Sequence, residues 1–144
     1  MKTNPLLFQQ VLEWVRKLNS RASFSDVEVI VEGPKDEAAL EDIGVRATFT
    51  HASRLIRDIR ELGEARIIGR TFIILTDFDT EGLTLHDKLK RIITEMGGKV
   101  DEFPRSYYKS TGLPPLVEEV SSFLKRRVAG WSILTEGWRS EQHW

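Results

Sequence analysis

Two aspartates one residue apart, Asp77 and Asp79, stand directly after an apolar run from Phe72 to Leu75. That run is rich in β-branched and aromatic residues, as expected of a strand buried on both faces. Residues two apart in a strand face the same side, so both carboxylates address one spot if the extended geometry persists that far. Carboxylates so placed repel, and one titrates high unless a cation lies between them. Oxygen donors of this kind suit Mg²⁺, with Mn²⁺ as a substitute. A polar turn whose aspartates cap the next helix accounts for the same residues without a cation. Glu81 is either a further metal ligand or the residue that opens that helix, and Gly82 follows at once.

A third acid belongs with these two. Val27 to Val31 reads as a strand, ended by Glu32-Gly33-Pro34, with Pro34 near the first position of a helix. Asp36 and Glu37 fall in the first helical turn, where acids complement the helix dipole, and capping is the favoured role for Asp36 over a secondary metal contact. Lys35, beside Glu32 at the helix start, can contact a phosphate or simply face solvent. In open α/β sheets the site lies beyond the carboxyl ends of the strands. Glu32 ends the first strand, and Asp77 and Asp79 follow the third. If those strands are neighbours, the three carboxylates converge.

The elements that must position them follow in order. Asn4-Pro5 reads as the start of a helix to about Leu18, with Leu7, Val11, Val15 and Leu18 on one face, then a polar connector from Asn19 to Ser25. After the first strand, a helix carries Ala38, Ala39, Leu40 and Ile43 and ends at Gly44. Val45 to Phe49 reads as the second strand. Thr50 caps a helix with Leu55, Ile56, Ile59 and Leu62 inward, closed by Gly63. Its other face carries Arg54, Arg57 and Arg60 beside Asp58 and Glu61, a solvated face rather than a phosphate-binding stripe. The helix after the aspartates buries Leu85, Leu89, Ile92, Ile93 and Met96 and ends at Gly97-Gly98. Lys99 to Phe103 reads as the fourth strand. Pro104 to Pro115 reads as a loop whose Arg105, Tyr107, Tyr108 and Lys109 pair cations with stackable rings, an arrangement suited to nucleic acid, with loop packing as the plainer role for the tyrosines. A last helix turns Leu116, Val117, Val120, Phe123 and Leu124 inward and ends in Lys125-Arg126-Arg127. The tail from Gly130 to Trp144 holds three of the four tryptophans. It is expected against the sheet, a dimer partner or nucleic acid, which leaves room for a homodimer or a larger nucleic-acid-processing complex. His51 and His86 have no spacing that makes a metal pair and read as surface or packing residues.

A chain of 144 residues, 40% hydrophobic and 30% charged, is expected to form one core. Formal net charge is −1, so nucleic acid must meet a local patch or a bound cation rather than a globally basic surface. The absence of cysteine removes disulfides and thiolate metal sites and fits a cytoplasmic chain. No apolar run approaches the roughly 20 residues of a membrane span, and Met1-Lys-Thr-Asn-Pro does not lead into a signal-peptide core.

Strand-helix alternation predicts an α/β fold, a mostly parallel sheet with helices on both faces. Within it, Val-Ile-Val-Glu-Gly-Pro-Lys-Asp, carrying Glu32, Gly33 and Asp36, resembles the first Toprim motif. Thr-Asp-Phe-Asp-Thr-Glu-Gly, carrying Asp77, Asp79 and Gly82, resembles the Asp-x-Asp motif of the same domain. The two occur in the family's order, on the expected strands, and the resemblance covers about Ser25 to Gly112. It divides the chain into an N-terminal helix and connector (1–25), a Toprim core (26–112) and a C-terminal helix with its tail (113–144).

The resemblance implies a Rossmann-like four-stranded sheet of order 2-1-3-4, a glutamate acting as general acid or base, and aspartates holding Mg²⁺. Toprim domains occur in topoisomerases, primases, OLD-family nucleases and small ribosomal RNA maturation nucleases. A topoisomerase needs a further domain with an attacking tyrosine, and a primase needs a zinc module that a cysteine-free chain cannot build. The small stand-alone class remains, although the maturation nucleases carry an additional C-terminal domain. The expected function is therefore a Mg²⁺-dependent nuclease, with RNA favoured over DNA. Glu32, Asp77 and Asp79 are the expected catalytic and metal residues, joined by Glu81 as a ligand. Lys35, Arg105 and Lys109 are expected on the substrate, and Gly33, Asp36 and Gly82 in the motif backbone. A metal- and nucleic-acid-binding module with little turnover is the alternative. A haloacid-dehalogenase-like phosphatase would want its Asp-Phe-Asp on the first strand, with Thr or Val where Glu81 stands.

Overall fold

The computed structural model describes residues 5–131. Helix α1 (Pro5–Ala22) precedes β1 (Val27–Val31), α2 (Pro34–Asp42), β2 (Phe49–His51) and α3 (Ala52–Leu62). A 3₁₀ turn, Gly63–Arg66, leads to β3 (Thr71–Ile74), α4 (Thr80–Glu95), β4 (Lys99–Val100) and α5 (Phe103–Ser110). A second 3₁₀ turn, Val117–Glu119, opens α6 (Val120–Arg127). The sheet has four strands in the order β2-β1-β3-β4, and every neighbouring pair is parallel.

Strand alternation divides the apolar residues into two cores. Val27, Val29 and Val31 of β1, with Ile73 and Leu75, face α1, α2, α5 and α6. Ile30, Phe72 and Ile74 face the other way, against Leu55 of α3 and Leu89 and Ile93 of α4. Helices thus cover both faces, which is why the β1 and β3 sequences are almost continuously apolar. Glu28 interrupts that run. Its carboxylate is buried on the smaller-core side and takes Arg66 at 2.6 Å and Arg70 at 2.7 Å. Burial raises its affinity for a proton, but the hydrogen bonds and charges of the two arginines outweigh this and hold it below the usual range.

Several boundaries differ from the sequence expectation. Helix α1 runs on to Ala22 because Asn19 is buried and useful, donating to the Gly44 carbonyl and accepting from the Arg46 N–H. It contributes Val11, Trp14, Val15 and Leu18 to the larger core. Strand β2 begins only at Phe49, and the residue before α3 is His51, not Thr50. Leu62, expected inward, is 58% exposed in the last turn of α3. Strand β4 stops at Val100, and the expected loop is helical up to Ser110, as part of α5. Pro104 sits in that helix's first turn, where a missing N–H does no harm. Trp131 is buried against Phe8. The Asn4 cap and the tail beyond Trp131 lie outside the described residues.

Candidate acidic site at the carboxyl edge of the sheet

Strands β1 and β3 are direct neighbours, so the chain segments leaving them emerge side by side. There the Glu32 carboxylate accepts the Asp77 backbone N–H at 2.7 Å. The expected convergence of the first and third strands is realised at these two residues. Strand β3 itself ends at Ile74, before Asp77 and Asp79. Their side chains serve different elements. Asp77 Oδ1 accepts the Val117 N–H at 2.9 Å, and Asp79 Oδ1 caps α4 by accepting the Gly82 N–H at 2.8 Å.

Gly82 is required by close approach, not by an unusual φ. A Cβ there would lie 1.9 Å from the Asp77 carbonyl oxygen, so the first turn of α4 rests directly on the aspartate backbone. The Thr76 hydroxyl completes the junction by donating to the Gly82 carbonyl at 2.8 Å. Gly33 has no such constraint. Its φ is −163° and a Cβ would meet nothing within 4 Å, so the sheet does not demand glycine there, although its small size leaves the groove floor clear. Asp36 is buried and accepts the Gly33 N–H at 2.9 Å, which is the capping role.

A groove of about 360 Å³ is lined by Glu32, Gly33, Pro34, Lys35, Asp36, Asp77 and Glu118. Glu32 is pushed above the ordinary carboxylate range, mainly by burial, with the charges of Asp77, Asp36 and Asp79 adding and the Asp77 N–H opposing. Burial likewise raises Asp77 and Asp36, with added repulsion from acids that include Glu118. Glu118 is the site residue that sequence reading missed. It lies 41 positions from Asp77 in the chain, and the hydrogen bonds from Val117 N–H to Asp77 and from Phe78 N–H to the Pro115 carbonyl bring its 3₁₀ turn to the groove. A larger groove of about 650 Å³, between α2 and α6, adjoins the first and shares Lys35 and Glu118 with it.

The remaining expected site residues separate by location. Lys35 is exposed at the groove, while Glu81 is exposed on the first turn of α4 and Lys109 on the last turn of α5. Arg105 is not on a surface loop. It is 4% exposed, donating to the carbonyls of Ile74, Thr76 and Asp77. Its expected phosphate contact is corrected accordingly: those donors already serve backbone acceptors inside the fold. Tyr108 is buried as well, its hydroxyl donating to the Pro114 carbonyl. His51 is held by Glu37 at 2.9 Å, and His86 is buried with Glu102 at 2.9 Å. Among the described residues, no group of three or more His, Asp or Glu side chains is arranged to hold a metal ion. No described helix is long and apolar enough to cross a membrane.

Fold and site together define a Rossmann-like α/β protein with a parallel four-stranded sheet and an acidic groove at its carboxyl edge. The chain belongs to the UPF0292 family. It is 34% identical over 109 residues to a UPF0292 protein of Pyrococcus abyssi, covering 74% of each chain. It is 30% identical over 128 residues to one of Methanocaldococcus jannaschii, covering 84% of this chain and 94% of that one. Over 84 residues it is 40% identical to one of Thermococcus onnurineus, and the match spans 59% of that relative's length. Among solved structures, a protein from Aquifex aeolicus superposes with a TM-score of 0.61 at 25% identity, covering 76% of this chain and 97% of the other. No protein-family model matches the chain.

Proposed function

We propose that this chain is a Toprim-fold, Mg²⁺-dependent nuclease that cleaves phosphodiesters in nucleic acid, RNA in preference to DNA. The observation that carries the reading is the meeting of Glu32 with Asp77, from adjacent parallel strands, at the carboxyl edge of the sheet. The donor set fits the ion. Mg²⁺ prefers oxygen ligands, keeps several waters and commonly takes only one or two carboxylates, so a trio of acids is not required. Asp77 and Asp79 would hold it, leaving Glu32 for proton transfer. When bound, such a cation offsets the acids' charge, polarises a phosphoryl oxygen and lowers the pKa of its water.

The chain's own residues supply the rest. Glu32 is partly withdrawn from water among other acids, which raises its proton affinity toward that of a general acid or base. The Asp77 N–H fixes the orientation of its carboxylate. Lys35 stands exposed at the groove for a phosphate oxygen. The test is Mg²⁺-dependent cleavage of structured and single-stranded RNA, with Glu32→Gln as control. The variant should still bind Mg²⁺ and substrate but turn over on the order of 10²–10⁴-fold more slowly. Wild-type activity in Glu32→Gln would remove the enzymatic reading of this site.

A binding module that keeps the fold and the cation but turns over little is the second reading. One observation favours it: Lys35 faces four groove acids, Glu32, Asp36, Asp77 and Glu118. That balance repels a phosphodiester until cations are bound. Cation-dependent RNA retention without cleavage would select it.

A further inference from the structure

Strand β4 stops short. Its neighbour β3 presents alternate carbonyls toward it, and the first two are met by backbone: Arg70 O takes the Lys99 N–H at 3.0 Å, and Phe72 O takes the Asp101 N–H at 2.9 Å. The next two, Ile74 O and Thr76 O, have no strand beside them. Arg105 Nη1 reaches from α5 to both, at 3.2 and 2.8 Å, and Nη2 continues to Asp77 O at 3.2 Å. One buried guanidinium thus replaces the missing strand along the segment that leads into the acidic site.

The same guanidinium covers Phe78, the residue between the two aspartates. Its central carbon lies 4.2 Å from the Phe78 ring centroid, and the same ring stacks on Tyr108 at 4.3 Å and 6°. Tyr108 is in turn seated edge-on against Trp14 at 5.2 Å. Phe78 is therefore held from α5 by two contacts, and Asp77 and Asp79 are carried on either side of it in the chain.

We infer that Arg105 is a positioning residue for the acidic site, setting Asp77 and Asp79 through the carbonyls of Ile74, Thr76 and Asp77 and through the Phe78 ring. This rests on the cation-binding reading above for its functional consequence, but not for its structural one. A planar fork satisfies three divergent acceptors that a lysine ammonium, a point donor on a flexible stem, cannot hold in one plane. Residues that orient metal ligands typically carry 10- to 100-fold of the metal affinity.

The test compares Arg105→Lys with Glu28→Gln, which breaks a buried ion pair remote from the groove. Both variants should melt earlier than wild type. Arg105→Lys should weaken Mg²⁺ binding in calorimetry about tenfold or more, whereas Glu28→Gln should leave it within about twofold, since Glu28 touches nothing in the groove. Backbone amide exchange, followed without metal, should quicken at residues 76–82 in Arg105→Lys and not in Glu28→Gln. If Arg105→Lys does not fold, Phe78→Leu takes its place, removing the stacked ring and keeping the guanidinium–carbonyl bonds, with the same two outcomes expected. Mg²⁺ affinity and 76–82 exchange both at wild-type values would overturn the inference. Wild-type protein that binds no Mg²⁺ would remove the cation-binding reading, while faster exchange in the variant would still uphold Arg105 as the residue that sets the loop.

Discussion

Asp77 joins the local electrostatics of the groove to its architecture. Its N–H is committed to Glu32, one carboxylate oxygen to Val117, and its carbonyl to Arg105, so the residue is held on three sides while it still faces the groove. An amide can keep the Val117 contact through its oxygen, so Asp77→Asn removes charge with little change of shape. Glu32, Asp36 and Asp77 all titrate above the ordinary carboxylate range in the folded chain. For a raised pKa the folded state binds more protons than the unfolded one. Its contribution is therefore fully present below about pH 4, the unfolded carboxylate range, and is lost as pH rises through the folded values. Without metal, Asp77→Asn should accordingly melt close to wild type near pH 4. It should melt higher at pH 7, by an amount corresponding to roughly 0.5 kcal/mol, the scale of one like-charge contact. Thermal melts across that range check the sign, and an Asp77→Asn advantage that shrinks with rising pH would contradict it. Mg²⁺ should reverse the order. At about 100 times its Kd it adds about 2.7 kcal/mol to a protein that binds it only when folded, and Asp77→Asn should gain little.

At the scale of elements, the junction between β3 and α4 is set by steric contact. Helix α4 starts at Thr80 with its first turn on the Asp77 backbone, and the missing side chain of Gly82 permits the approach. Gly82→Ala would place a methyl group 1.9 Å from a carbonyl oxygen that cannot rotate aside, so the helix start and the aspartate loop must part. A loss of about 2–3 kcal/mol is expected, the range of overpacked sites. Chemical denaturation measures it, together with weaker Mg²⁺ binding. Gly33→Ala is the useful contrast: its backbone is extended and its surroundings open, so stability should stay within about 0.5 kcal/mol of wild type. Gly82 stood in the Asp-x-Asp motif that the resemblance carries, but its steric reason, the approach to the Asp77 carbonyl, is visible only in the fold. Helix α5 was not legible. Its eight residues include Pro104 and two tyrosines, which read locally as a loop. It is stabilised as a helix by what its face buries, Arg105 and Tyr108.

Across the whole molecule, the sheet separates a large core from a small one, and the small one contains a charge. Glu28 is 5% exposed and is neutralised by Arg66 and Arg70, at the two ends of the segment that enters β3. Glu28→Gln leaves Arg66 with only its longer contact to Asp58, at 3.5 Å, in a mostly buried position. It should cost about 3 kcal/mol, as broken buried pairs do, read from urea unfolding with the slope unchanged. A loss under about 1 kcal/mol would mean that Arg66 reaches water on its own. The sequence by itself determined which segments run as strands and which acids leave the first and third of them. Those features depend on periodicity and on contacts a few residues apart. Tertiary structure alone decided that Arg105 lies inside the fold rather than on a substrate, that Glu118 reaches the groove, and that one oxygen of Asp77 is taken by Val117. These contacts join residues 28 to 41 positions apart. They follow from where β4 stops and how α5 and α6 pack on one face of the sheet, which no local pattern encodes.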